Sequence, residues 1–355
     1  MHRVGWRRGP AQGKLRRARP VHTHVPFGHA RMDTLRFGSS APPPPGAPAD
    51  SGDRGDRPGD RRWDKREGTM VGGEYTLVRR IGKGSGGAVY EARHEPSGQR
   101  VAVKVLHERL TGSDTQRRRF DREARTAAVV VHPNIVRLYD AGTDEDGTAW
   151  QVFELLEGRD LASLIEERTL TVPEAVWLAG ELLEALEAVH ARGFVHRDVK
   201  PENVFLATAT GKGGAPFQVK LLDFGIAKPL VPSQSTPWVT DEGVLLGTPH
   251  FMAPEQITGD KPIAPTTDLW AMAAVIFTAL TGRPPFDDRQ LSKLLVRIAR
   301  EPAPSILPLR PDVPESLASI LARALRNHPA HRYPSASAML AALDDALPQT
   351  LVPSR

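Results

Sequence analysis

The chain has 355 residues, enough for one large domain or two medium ones with a sizeable core, and no cysteine, which excludes disulfides, thiolate metal sites and a cysteine nucleophile. No run approaches the roughly 18 apolar residues of a membrane span, and the arginine-bearing N-terminus is not followed by the apolar stretch of a secretory signal. The net charge of +5 is uneven: residues 1–70 hold 15 Lys and Arg against 7 Asp and Glu, leaving 32 against 35 elsewhere, so the basic character belongs to the tail and gives no support to a nucleic-acid-binding domain.

Residues 1–70 have few aliphatic side chains and no sustained period, with the proline run Ala41–Gly46 and the charged run Asp50–Asp60. Such a segment cannot bury enough apolar surface to offset its ordering entropy, and disorder is expected. Three readings stay open: a flexible extension, a basic arm for acidic partners or lipid headgroups, or a stretch upstream of a true start at Met70.

From Tyr75 the pattern changes. Short segments rich in β-branched and aromatic residues predict strands over Tyr75–Ile81, Ala88–His94, Arg100–Leu106, Ile135–Ala141 and Ala149–Leu155, with a helix over about Thr115–Val130. After residue 160 the pattern is mostly helical. Val176, Ala179, Leu182, Leu183, Leu186 and Val189 recur at three- and four-residue spacing, predicting a helix over Glu174–Arg192 with Pro173 in its first turn and Gly193 as its stop. Further helices are predicted near Thr267–Thr281, Asp288–Arg300, Pro314–Arg326 and Ser335–Ala346. Strands first and helices afterwards predict an α+β protein with two lobes. Residues 348–355 remain as a short tail.

Three motifs carry chemistry. Ile81, Gly82, Lys83, Gly84, Ser85, Gly86, Gly87, Ala88 and Val89 contain G-x-G-x-x-G-x-V, whose glycines let backbone amides approach phosphate. A dinucleotide fold uses similar glycines but opens a helix with them; here Val89–Arg93 continues as a strand, which makes the loop a hairpin lid. Lys104, inside the apolar strand Val101–Val105, needs anionic partners, and Glu108, Asp121 and Glu123 are all within reach by sequence. Finally, His196-Arg197-Asp198-Val199-Lys200-Pro201-Glu202-Asn203 precedes Asp223-Phe224-Gly225. One carboxylate can receive a proton, while an amide oxygen and a second carboxylate can hold a hard cation.

On these motifs, in this order and spacing, the chain resembles protein kinases over about Tyr75–Leu347, most closely the eukaryotic-like Ser/Thr kinases of bacteria. The resemblance implies a bilobal kinase fold: an N-lobe (75–155) with a five-stranded antiparallel sheet and one main helix, a hinge near 154–158, and a mainly helical C-lobe (159–347). It implies Mg²⁺ and ATP, with Glu123 as partner of Lys104. It places adenine between Val89 and Ala102 above and Phe205 below, read by the backbone of Glu154 and Leu156, with Phe153 at the back of the pocket. Asp198 becomes the base or the group orienting the substrate hydroxyl, Lys200 neutralises the transferring phosphoryl group, Asn203 and Asp223 are the metal ligands, and Thr248 contacts Asp198 and Lys200.

By the same resemblance His196, Phe224, Leu138 and Ala127 pack together, Glu255 pairs with Arg332, and Asp268 accepts backbone hydrogen bonds near Arg197. Arg197 marks control by loop phosphorylation, with Ser233, Ser235, Thr236 and Thr240 as acceptors and Thr240 favoured. The implied partners are proteins bearing Ser or Thr, with neither nucleic acid nor a membrane span, in the cytoplasm. The alternatives are an inactive scaffold and a small-molecule kinase of the same fold.

Overall fold

The structure, a computed structural model, describes residues 66–84, 87–106, 114–208, 217–223 and 249–346. Strands β1 (Met70–Val71), β2 (Tyr75–Gly84), β3 (Gly87–His94), β4 (Arg100–Leu106), β5 (Leu138–Thr143) and β6 (Ala149–Glu154) form an antiparallel sheet in the order β1-β2-β3-β4-β6-β5. Helix α1 (Asp114–Val129) lies between β4 and β5 in the chain and packs on β5 and β6.

The sheet has six strands where the sequence pattern predicts five. The extra one is a two-residue edge, too short to show any alternation. It is extended upstream by Gly68, whose amide donates to Leu77 O at 2.7 Å, and by Thr69, whose carbonyl accepts from Leu77 N at 2.9 Å. β5 starts three residues later than predicted, because Ile135 and Val136 serve elsewhere. Ile135 bridges Leu221, and Val136 N donates to Leu221 O at 3.0 Å, tying the N-terminal sheet to the second lobe.

The second lobe holds a small sheet of β7 (Gly158–Asp160), β8 (Val204–Ala207) and β9 (Gln218–Leu221). Its helices are α2 (Leu161–Glu167), α3 (Val172–His190), α4 (Pro254–Thr258), α5 (Pro265–Thr281), α6 (Leu291–Arg300), α7 (Glu315–Ala324) and α8 (Ala336–Ala346). α3 begins with Thr171 and Glu174 in a reciprocal capping box, Pro173 sits in its first turn, and Gly193 just beyond its end takes φ +77°. α5 is buried on all sides from Thr267 to Leu280, as a central helix must be, and packs on α3 and α7. This scaffold holds the loop 196–203 between α3 and β8.

Candidate active site

The glycine motif folds as a hairpin, with Gly82 opposite Val89 and Gly84 opposite Gly87; its tip, Ser85 and Gly86, lies outside the described residues. Register shifts at Leu77/Arg79 and Arg80/Gly82 bend β2 as it approaches this tip. Gly87 is a glycine for a packing reason too: a Cβ there would sit 2.1 Å from Val105 O.

On β4, Lys104 Nζ donates to Glu123 Oε1 at 3.0 Å and to Asp223 Oδ1 at 2.8 Å. Of the candidate partners left open by the sequence, α1 brings Glu123 to the lysine, whereas Asp121 is exposed and Glu108 lies outside the described residues. Burial pushes the Lys104 ammonium down, but the charges of Asp223 and then Glu123 outweigh it and hold its pKa above the ordinary value. Glu123, enclosed between sheet and helix, is pushed up by burial despite the lysine. For Asp223 burial is again the largest influence, yet Lys104, through charge and hydrogen bond, leaves its pKa low.

The loop 196–203 is organised by polar contacts to groups that sequence spacing places far away. Asp268, fully buried in α5, accepts His196 N on Oδ2 and Arg197 N on Oδ1, both at 2.8 Å, and Oδ2 also meets His190 Nε2 at 2.8 Å. Gln256 Nε2 donates to Arg197 O at 3.1 Å. These contacts hold Arg197 at φ +67°, a left-handed conformation that a non-glycine residue adopts only when its surroundings impose it. His196 is buried, its Nε2 lies 2.9 Å from Leu222 O, and burial pushes its pKa down; the neutral ring donates through Nε2 and takes the 3.4 Å contact from Asp198 N on Nδ1.

At the mouth of this loop, Asp198 Oδ2 accepts from Asn203 Nδ2 at 3.0 Å and lies 3.3 Å from Lys200 Nζ. The same Asn203 nitrogen donates to Asp198 O at 2.8 Å, which leaves the amide oxygen for another partner. Asn203 O accepts from Leu222 N at 2.8 Å, so the loop is stitched to the residue before Asp223. Asp223 itself takes φ +37°, and 47 % of its side chain is exposed. Among the described residues no cluster of three or more His, Cys, Asp or Glu could hold a metal unaided. Asn203 and Asp223 offer hard oxygens, and a cation there needs further oxygens from phosphate and water, which fits Mg²⁺.

The remaining expected residues fall as follows. Ala102 is buried on β4 and Val89 on β3 packs against the same core, while Phe205 lies half-buried on β8. Glu154 ends β6; its N–H donates to Arg137 O at 3.0 Å. Its side chain, which sequence reasoning gave no role, accepts Lys220 Nζ at 2.7 Å and Arg137 N at 2.8 Å across the hinge. Nothing in the sequence pairs Glu154 with Lys220, since 66 residues separate them. Leu138 and Ala127 are buried in the same core. Glu255 meets Arg332 in a buried two-pronged pair at 2.7 and 2.8 Å. Phe224, Thr248, Ser233, Ser235, Thr236 and Thr240 lie outside the described residues.

The sheet lobe and the helical lobe bring a lysine–glutamate pair and an aspartate-bearing loop together at one cleft. The protein kinase domain family matches residues 75–342, and the chain belongs to that family. It is 40% identical over 275 residues to the serine/threonine-protein kinase Pkn1 of Myxococcus xanthus, covering 78% of this chain and 38% of that protein. It is 37% identical to PknA of Mycobacterium tuberculosis, covering 76% of this chain and 60% of that one. Among solved structures, the M. tuberculosis PknI kinase domain superposes with a TM-score of 0.61 at 28% identity, covering 79% of this chain and 99% of that one. The chain thus spans only part of the length of the kinases it matches, while it matches the isolated PknI kinase domain nearly end to end.

Proposed function

We propose that the chain is a Ser/Thr protein kinase that transfers the γ-phosphoryl group of ATP to Ser or Thr hydroxyls of proteins. The observation carrying this reading is the convergence of Lys104, Asp198, Asn203 and Asp223, remote in sequence, on one cleft. Lys104, fixed by Glu123, holds nucleotide phosphate. The backbone of Glu154, through its carbonyl, and that of Leu156 read the adenine edge, with Val89, Ala102 and Phe205 around the ring. Asp198 orients the incoming hydroxyl and takes its proton, and Lys200, 3.3 Å away, neutralises charge on the group in transfer. Asn203 and Asp223 would hold Mg²⁺, which supplies charge neutralisation on the phosphates.

Lys200 two positions after Asp198, with Thr248 and the Ala253-Pro254-Glu255 segment, favours a protein acceptor over a small molecule. A cytoplasmic location, where Mg-ATP is supplied, is part of the proposal. Autophosphorylation at Ser233, Ser235, Thr236 or Thr240, chiefly Thr240, is part of the proposal, with Arg197 as receiver of the new phosphate.

The test is ATP-dependent labelling of a generic protein substrate by wild type and by Asp198→Asn, with mass spectrometry of the kinase afterwards. Labelling by wild type alone, with phosphate on the 233–240 segment, is expected. An equally active Asp198→Asn would overturn the kinase reading, and an active enzyme with an unmodified segment would overturn the loop assignment.

A further inference from the structure

Gln151 is a polar side chain with no solvent exposure at all, on the central part of β6. It stands opposite Lys104 in the β4–β6 register, so the two side chains leave the same face of the sheet, toward α1. Its Nε2 donates to Phe120 O at 2.8 Å. Its Oε1 is buried without a hydrogen-bond partner among the described residues. The amide cannot be turned over to improve matters, since that would set oxygen against oxygen at Phe120.

A glutamine in such a place is a poor choice for stability alone. A buried amide with one end unmatched costs desolvation that an apolar side chain of similar length avoids. What the amide gains is a grip on α1. Phe120 lies one turn before Glu123, and α1 meets the sheet and its β5–β6 turn at three points spaced by three residues: Arg117 to Gly147 O in the turn at 3.5 Å, Phe120 O to Gln151, and Glu123 to Lys104 at 3.0 Å. Gln151 is the middle one. Residues three apart share a helix face, so a contact at Phe120 sets both the depth and the rotation at which Glu123 is presented. If α1 moved outward, the Gln151 amide would lose its hydrogen bond to Phe120 O, which favours the inward position of the helix.

We infer that Gln151 is a positioning residue for phosphoryl transfer: it clamps α1 so that Glu123 stays on Lys104. The inference rests on the kinase reading above. Gln151→Met keeps the length and removes both polar atoms. Because it also removes an unmatched buried oxygen, the melting temperature is expected to stay at or above that of wild type. The rate of transfer at saturating ATP should fall about fivefold, the equivalent of one net hydrogen bond. Amide exchange in the first half of α1 should speed up. In a Glu123→Gln background, where the ion pair is already lost, Gln151→Met should cost nothing further.

A fall in melting temperature that tracks the loss of rate would overturn the inference, because it marks a plain packing role. So would full additivity with Glu123→Gln, or unchanged α1 exchange. A wild-type protein without any transfer activity would strike the kinase reading instead, and the exchange measurement would still decide the clamp.

Discussion

Lys104 is closer to Asp223 than to Glu123, at 2.8 against 3.0 Å, so one ammonium joins the sheet lobe, its helix and the segment after β9. The pair Lys104–Asp223 spans 119 residues of chain and ties β4 to the segment after β9. Removing the ammonium leaves the carboxylates of Glu123 and Asp223 without their shared cation and, on the proposed reading, takes away the charge that holds nucleotide phosphate. Lys104→Met is therefore expected to lower phosphoryl transfer by about 10²–10³, as for loss of one preorganised charge at a reacting group. Circular dichroism should show the fold retained. Labelling within about threefold of wild type would contradict the assigned role, because that is less than a single ordinary hydrogen bond contributes.

Glu255 and Arg332 form a different kind of pair, buried to 1 and 2 % exposure. Arg332 uses its other donors on Arg326 O at 2.8 Å, Thr266 O at 2.9 Å and Asn327 O at 3.1 Å, and Thr267 Oγ1 donates to Glu255 at 2.8 Å. Breaking one side strands the other charge. Arg332→Met should destabilise the chain by about 3–5 kcal/mol, while the double change Arg332→Met with Glu255→Leu should recover part of the loss. Urea unfolding midpoints of the three variants measure this; a double variant no better than the single one would show that the carbonyl contacts, not the stranded carboxylate, dominate.

Much of this fold was legible because its signals are local. Alternation and β-branching mark β2, β3, β4 and β6 within a few residues of their ends, and the apolar period marks α3 and α5. The pairs Lys104–Glu123 and Glu255–Arg332 and the backbone role of Asp268 came from resemblance, since no spacing rule reaches across 77 residues. The elements that escaped are those with no internal period: β1 at two residues, β7 at three, β8 and β9 at four each, and α2 and α4 at seven and five. Ile135 read as strand because it is apolar and β-branched, but its partner Leu221 is a long-range contact invisible to any window. Lys220–Glu154 and Gln151–Phe120 went unseen for the same reason: a buried polar side chain looks like a surface one until its partner is known.

The buried histidine sets a pH dependence of stability. Burial pushes the pKa of His196 below its ordinary value, so between that ordinary value, about 6.5, and the lowered one the unfolded chain binds a proton that the folded chain does not. Stability therefore falls as pH drops below about 6.5 and is retained above it. His132, lowered chiefly by burial as well, adds in the same direction. The urea midpoint should be lower at pH 5.5 than at pH 7.5. His196→Gln, which keeps a donor for Leu222 O and cannot titrate, should show a smaller difference between the two. An undiminished difference in that variant would assign the acid sensitivity to other groups.

Arg197 carries the last prediction. Its backbone is pinned on both sides, by Asp268 and by Gln256, while its Nε is buried without a hydrogen-bond partner among the described residues. Burial pushes the guanidinium pKa down, Asp268 opposes that, and the nearby positive charge of Arg122 adds to the lowering. A cation under such stress gains from any anion brought to it, and a phosphate on the 233–240 segment would be one. Phosphorylated wild-type enzyme should then transfer about tenfold or more faster than the same enzyme after phosphatase treatment, the equivalent of one charge-assisted hydrogen bond. In Arg197→Met the two forms should become nearly equal, with the rate of the dephosphorylated form little changed. Rates measured before and after phosphatase on both proteins decide it, and an Arg197→Met enzyme that still responds fully to dephosphorylation would move the phosphate receiver to another residue.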